Sequence, residues 1–282
     1  MKNYHLTLAG LRIQLCTPHE ISVSESLQPF MCQSQEETDC VIRLRTCEQL
    51  PEYSHGGVWH GLEYYDCHQG SQRIFHCNAP HAAAFAATIL LENGNIELWV
   101  LPDYLSYFTG IAGIFNRIGM ETLLLQHQSL LLHASLIKYE GVTLAFAGPS
   151  GVGKSTQADI WHTCLGADIV NGDRAALGKR GDSWYAYGFP YAGTSGIYKN
   201  DCGPLAAIVV LQQAEENHLC RLTESEAFRL LYPELSIHHW DKTYVTDATD
   251  LCLQMLSQIP VYMLACRPDE SAALLVKKGL SL

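Results

Sequence analysis

The sequence predicts an α/β domain over residues 129–282, a β-rich domain over 1–108 and a linking helix within 109–128. Three observations carry that division. Residues 1–108 hold short runs of β-branched, aromatic and aliphatic residues separated by polar turns, the composition of half-buried strands. Residues 144–156, LAFAGPSGVGKST, pass from an apolar strand pattern through glycines into a helix start. Beyond them, strand-like apolar runs and amphipathic helical ones follow one another to the C-terminus.

In chain order, residues 6–16, 41–46, 59–65 and 73–77 have strand composition. Residues 86–91 and 96–101 form the clearest hairpin, because Asn93 and Gly94 between them tolerate the positive φ angles of a tight turn. His55, His60, His68, His76 and His81 are scattered through this half with Cys67 and Cys77. Their spacings match no zinc ribbon or finger, so they are expected at the surface or as satisfied core residues. Apolar residues at helical spacing, among them Ile114, Phe115, Ile118 and Leu123, predict one helix over about 112–127 despite Gly113 and Gly119.

From residue 130 the sequence LLLHASLIKYEGVTLAFAG contains two apolar runs around a turn at Tyr139, Glu140 and Gly141, a strand pair that leads straight into the glycine loop. That loop fits the pattern G-x-x-x-x-G-K-[ST], a Walker A motif, at Gly148, Gly153, Lys154 and Ser155, with Gly151 as a third flexible position. Glycines let the backbone N–H groups of the loop, including those at Ser150 and Val152, turn towards phosphate oxygens. Lys154 would reach the β- and γ-phosphates of ATP, and Ser155 would ligate Mg²⁺. Thr156 adds a second hydroxyl where the helix begins, and the helix dipole favours an anion there.

Residues 167–170 form a short apolar run ending in Asn171, Gly172, Asp173 and Arg174. The separation of Lys154 from Asp173 accommodates one helix, a tight turn and one strand. Asp173 is therefore expected at the strand's end as a second Mg²⁺ carboxylate, the part of a Walker B acid; a plain Asx turn is the alternative. Arg174 offers a guanidinium to the γ-phosphate or an anionic acceptor, or is a surface residue after the turn. In 187–200, Pro190 and Gly193 shape a loop carrying Thr194, Ser195 and Lys199, which would suit the acceptor side. The remaining elements are a buried strand over 205–212, helices over 224–231 and 247–258, a strand over 261–266 and a helix over 269–278.

A formal net charge of −11 without any Lys/Arg run argues against a nucleic-acid or anionic-membrane surface. No uncharged apolar run approaches the roughly 18 residues of a membrane span. The eleven cysteines are odd in number and never spaced C-x-x-C, and the first residues lack a signal-peptide core, which predicts reduced thiols in the cytoplasm.

HASL at 133–136, GPSGVGKST at 148–156 and IVNGDRAAL at 169–177 resemble, in that order, segments of the catalytic domain of HPr kinase/phosphorylase-like proteins, which share a fold superfamily with phosphoenolpyruvate carboxykinases. The resemblance covers residues 128–282 and is closest to kinase-like proteins encoded beside peptide natural-product and radical-enzyme gene clusters. It implies a P-loop kinase domain that uses ATP and Mg²⁺ to phosphorylate a hydroxyl, with serine favoured. It also places His133 near the phosphates, where its near-neutral titration range suits a general base alongside Asp173. Two departures stand out. Gly172 occupies the place of the first acid in an Asp-Asp pair of HPr-phosphorylating members, the expected acceptor of the serine proton. The N-terminal part and the segment used for phosphorolysis show no counterpart, so HPr itself is not implied as substrate.

The reading is thus a kinase acting on a peptide, protein or small-molecule hydroxyl, with self-association left open. A shikimate- or nucleotide-kinase-like enzyme is the first alternative, but such chains begin near their glycine loop and carry an arginine-rich lid. The second is a non-catalytic module switched by nucleotide, which the missing carboxylate favours.

Overall fold

A computed structural model describes residues 1–33, 37–68 and 71–282, with the side chain of His68 outside the described set. The chain is mixed α/β, with two multi-stranded sheets, and divides into two units, Met1–Gln126 and His127–Leu282.

The first unit holds β1 (Lys2–Leu8), β2 (Leu11–Thr17), β3 (Cys40–Thr46), β4 (Val58–His60), β5 (Glu63–His68), β6 (Ser71–Cys77), β7 (Ala84–Leu90) and β8 (Ile96–Val100). They form one sheet in the order β1-β2-β3-β8-β7-β6-β5-β4. Period-two burial of Ile13 and Leu15, Ile42 and Leu44, and Ile96 and Leu98 shows why these segments are strands: one face of each is core. The stretch read as one strand over 6–16 is instead a hairpin, because Ala9 and Gly10 turn the chain at φ 50° and 82°. Likewise 59–65 divides at Gly61, φ 58°. The expected β7–β8 hairpin forms over the Asn93 and Gly94 turn, with Gly94 at φ 77°.

The helix expected over 112–127 is two, α1 (Ile111–Phe115) and α2 (Met120–Gln126), parted by Gly119 at φ 60°. A left-handed residue cannot continue an α-helix. His76 is buried between Glu63 and Thr88, at 3.2 and 3.1 Å, and His81 packs its ring on Trp59. Burial pushes the Cys40 thiol up to about 12, so it behaves as a small core residue.

The second unit contains β9 (Ser129–Tyr139), β10 (Val142–Ala147), α3 (Lys154–Leu165), β11 (Asp168–Asn171), β12 (Arg174–Arg180), β13 (Ser183–Gly188), β14 (Cys202–Gln213) and β15 (His218–Arg221). It ends with α4 (Glu224–Leu231), α5 (Lys242–Leu256), β16 (Val261–Cys266) and α6 (Glu270–Leu280). Among the described residues the pairings β10-β9-β12-β13-β14 close on themselves, since β10 also pairs in parallel with β14. β16 and β15 extend this sheet, and β11 pairs with β9. The closure depends on β9 changing partner along its length: residues 129–133 pair with β12 and 134–139 with β10.

The hairpin of β12 and β13 and the strand β15 have no counterpart in the sequence reading. Arg, Lys and Gly in 174–181 dilute the apolar alternation that identifies strands. α5 begins five residues before the expected 247, where Asp241 caps the Tyr244 N–H.

One face of the sheet is covered by α3 and α6. Trp161 is fully buried there among Ile137, Phe146 and Leu264, its ring edge-on to Tyr139 at 5.5 Å. Trp161→Ala is expected to cost about 3–5 kcal/mol by leaving a ring-sized cavity under the glycine-loop helix, measured by equilibrium denaturation. No helix is long and apolar enough to cross a membrane among the described residues.

Candidate active site

The glycine loop connects β10 to α3, so an apolar strand and a helix N-terminus aim it. Gly148, Gly151 and Gly153 sit at φ 134°, 80° and 113°, a region L side chains avoid. At Gly148 space is short as well, because a Cβ would meet Val152 at 3.3 Å and the Leu211 carbonyl at 3.4 Å. Lys154, the first residue of α3, is only 7% exposed and donates from Nζ to the carbonyls of Gly148 (2.7 Å) and Pro149 (3.2 Å). Burial lowers the pKa of this ammonium, while the carboxylates of Glu234 and Asp173 pull it back up.

Asp173 follows β11 in a turn organised by Asn171, which is fully buried. The Asn171 carboxamide oxygen accepts the N–H of Asp173 and of Arg174, both at 2.8 Å, and its nitrogen donates to Phe189 (2.6 Å) and Tyr191 (3.2 Å). β9 grips the same turn, with Ser135 Oγ donating to the Gly172 carbonyl at 2.9 Å and the Ala134 N–H to that of Asp173 at 3.0 Å. The Asx turn is thus present, built on Asn171, and Asp173 sits within it.

An open cleft of about 530 Å³ unites these parts. Ser150, Gly151, Gly153, Lys154, Ser155 and Thr156 line it together with His133 and Asp173. Gly148, Val152 and Arg174 do not line it. Arg174 lies behind Asp173, Nε 3.5 Å from Oδ2, and donates from a terminal nitrogen to Ser236 Oγ at 3.1 Å. Thr194 and Ser195 reach the cleft, whereas Lys199 pairs with Asp168.

His133 Nε2 is 3.2 Å from Asp173 Oδ1, and its Nδ1 is 3.0 Å from Glu234 Oε2. Glu234 was missed by the sequence reading: it lies a hundred residues from His133 in a turn after α4, where an acid beside proline looks like ordinary surface.

The place beside Gly172 is filled. A Cβ there would lie 2.0 Å from Ser195 Oγ and 2.4 Å from Ser195 Cβ. Ser195 is itself fixed, donating to the Ala192 carbonyl at 2.6 Å and accepting the Ile197 N–H at 3.2 Å. Gly172→Asp is therefore expected to displace the 192–197 loop, lowering stability by about 1–3 kcal/mol. Adding Ser195→Gly should recover part of that loss, and a denaturant titration of the single and double variants measures both.

No family model matches the sequence, and no curated protein matches it. Among solved structures, the HPr(Ser) kinase/phosphatase from Coxiella burnetii is similar over 52% of this chain and 91% of that chain, with 11% sequence identity and a TM-score of 0.30.

Proposed function

We propose that the chain is an ATP- and Mg²⁺-dependent phosphotransferase of the cytoplasm that phosphorylates a hydroxyl, serine by preference, on a peptide, protein or small molecule. The observation that carries this reading is that a buried lysine and a positive-φ glycine loop front the same cleft as Asp173 and His133.

The donor set suits the ligands. Loop N–H groups at a helix N-terminus and the Lys154 ammonium favour phosphate oxygens. The Ser155 hydroxyl and the Asp173 carboxylate are hard oxygen donors of the kind Mg²⁺ accepts. A bound Mg²⁺ supplies charge neutralisation at the phosphates. Asp173 takes the hydroxyl proton in this reading. Both ring nitrogens of His133 face carboxylate oxygens, leaving no lone pair turned to the cleft, so His133 holds Asp173 instead of acting as the base. Arg174 holds the other carboxylate oxygen from behind. Phosphoryl transfer asks mainly for positioning and charge neutralisation, which this arrangement supports.

Incubation with γ-labelled ATP and Mg²⁺, with and without serine-containing peptides, tests the proposal. Transfer to a hydroxyl, or acceptor-dependent ATP turnover, is expected. Nucleotide binding without turnover under any acceptor would replace it with the switch-module reading, which the absence of a side chain at Gly172 favours.

A further inference from the structure

Glu234 belongs to a short segment that straps itself to the strand carrying His133. After α4 the chain forms a 3-10 turn, Tyr232–Glu234, stiffened by Pro233. The next residues then run along β9: the Ser236 N–H donates to the Leu131 carbonyl at 2.9 Å, and Leu235 bridges Leu132. Tyr244 from α5 clamps the strap by donating its hydroxyl to the Ser236 carbonyl at 3.1 Å. Two side chains leave this strap towards the neighbours of Asp173. Glu234 reaches Nδ1 of His133, and Ser236 accepts from Arg174.

The burial of Glu234 gives the contact its weight. Its side chain is 13% exposed, and taking a carboxylate out of water is costly unless a partner answers it. That partner is the ring whose other nitrogen faces Asp173. Three side chains from three separate elements therefore form one line, Glu234–His133–Asp173, ending at the cleft. Glu234 does not line the cleft itself; it reaches Asp173 through the histidine, and its charge also supports the Lys154 ammonium.

We infer that Glu234 is a positioning residue of the phosphotransfer site: its carboxylate accepts from Nδ1–H of His133 and fixes the ring, and the same ring, with both nitrogens carrying hydrogen, donates from Nε2–H to Asp173 and fixes that carboxylate towards the cleft. The second acid of the site thus comes from the strap after α4 and not from position 172. A ring nitrogen held by a carboxylate cannot rotate away without giving up a charge-assisted hydrogen bond, the device that orients ligating and catalytic histidines elsewhere.

The assignment rests on the kinase reading for its kinetic consequence but not for its geometry, so two measurements separate them. The first uses no nucleotide. In ¹H–¹⁵N spectra of the full-length protein, a slowly exchanging Nδ1–H resonance of His133 is expected that disappears in both His133→Asn and Glu234→Ala. Its persistence in Glu234→Ala overturns the inference. The second measures MgATP turnover. Glu234→Ala and His133→Asn should each lower kcat about 10–100-fold with KM for MgATP little changed, and the double variant should fall no further than the worse single one. Glu234→Gln, whose amide oxygen still accepts from Nδ1–H, should recover most of the rate. A Glu234→Ala protein that melts earlier but turns over normally while folded would show a purely structural ion pair and overturn the inference. A wild type without turnover would reject the kinase reading while the spectra still decide the Glu234 contact.

Discussion

Lys154→Ala is expected to remove most ATP binding and to lower kcat/KM on the order of a hundredfold or more, because it deletes the one preorganised ammonium in the glycine loop. The fold should survive. The change relieves a costly buried charge and leaves two loop carbonyls short of a donor, effects of opposite sign. A pH signature accompanies the loss. Burial holds the Lys154 pKa below its ordinary 10.5. Between that lowered value and 10.5 the folded protein gives up this proton before the unfolded chain does, so the ligand-free protein gains stability as pH rises through the window. Phosphates favour the ammonium, so ATP affinity should fall over the same window, and Lys154→Ala should lack that alkaline decline. Fluorescent ATP-analogue titrations across pH measure both effects. Unchanged affinity and turnover in the variant would sink the ATP assignment.

Removal of divalent cation with EDTA is expected to abolish turnover, and Mg²⁺ or Mn²⁺ to restore it, since the oxygen donors at Ser155 and Asp173 suit hard cations. Asp173→Asn should lower kcat/KM on the order of a hundredfold at ordinary Mg²⁺. Its melting temperature should change modestly, because the turn is organised through Asn171 and backbone groups, and an Asn oxygen at 173 still accepts from His133 although the charge of both ion pairs is lost. The contrast between lost activity and retained stability separates a cleft acid from a turn-former. Full activity of Asp173→Asn would remove the acid from the mechanism.

Much of the framework is legible in the order of the residues. The apolar alternation of β3, the β7–β8 hairpin signal at Gly94 and the run from β10 through the glycine loop into α3 are local patterns, and each lies where its residues imply. Local patterns also misled. Residues 6–16 and 112–127 kept one hydrophobic period across a turn, and the backbone angles of Ala9, Gly10 and Gly119 break them. The β12–β13 hairpin stayed hidden because its polar and glycine positions carry little period-two signal.

The glycine loop and the helix it opens are read from local order alone, since glycine spacing, a following lysine and a helix start are properties of a dozen consecutive positions. Local patterns also place Asp173 just after a strand, one helix beyond that loop. How these residues are held is set by contacts between distant segments. The ring nitrogens of His133 are claimed by Asp173 and by Glu234, a residue brought from another part of the chain by the strap after α4. The space beside Gly172 is taken by Ser195, and Arg174 lies behind the acid instead of in the cleft. Hydrogen-bond partnership and excluded volume between distant segments are pairwise properties of the folded chain, and neither leaves a periodic or local trace in the order of its residues.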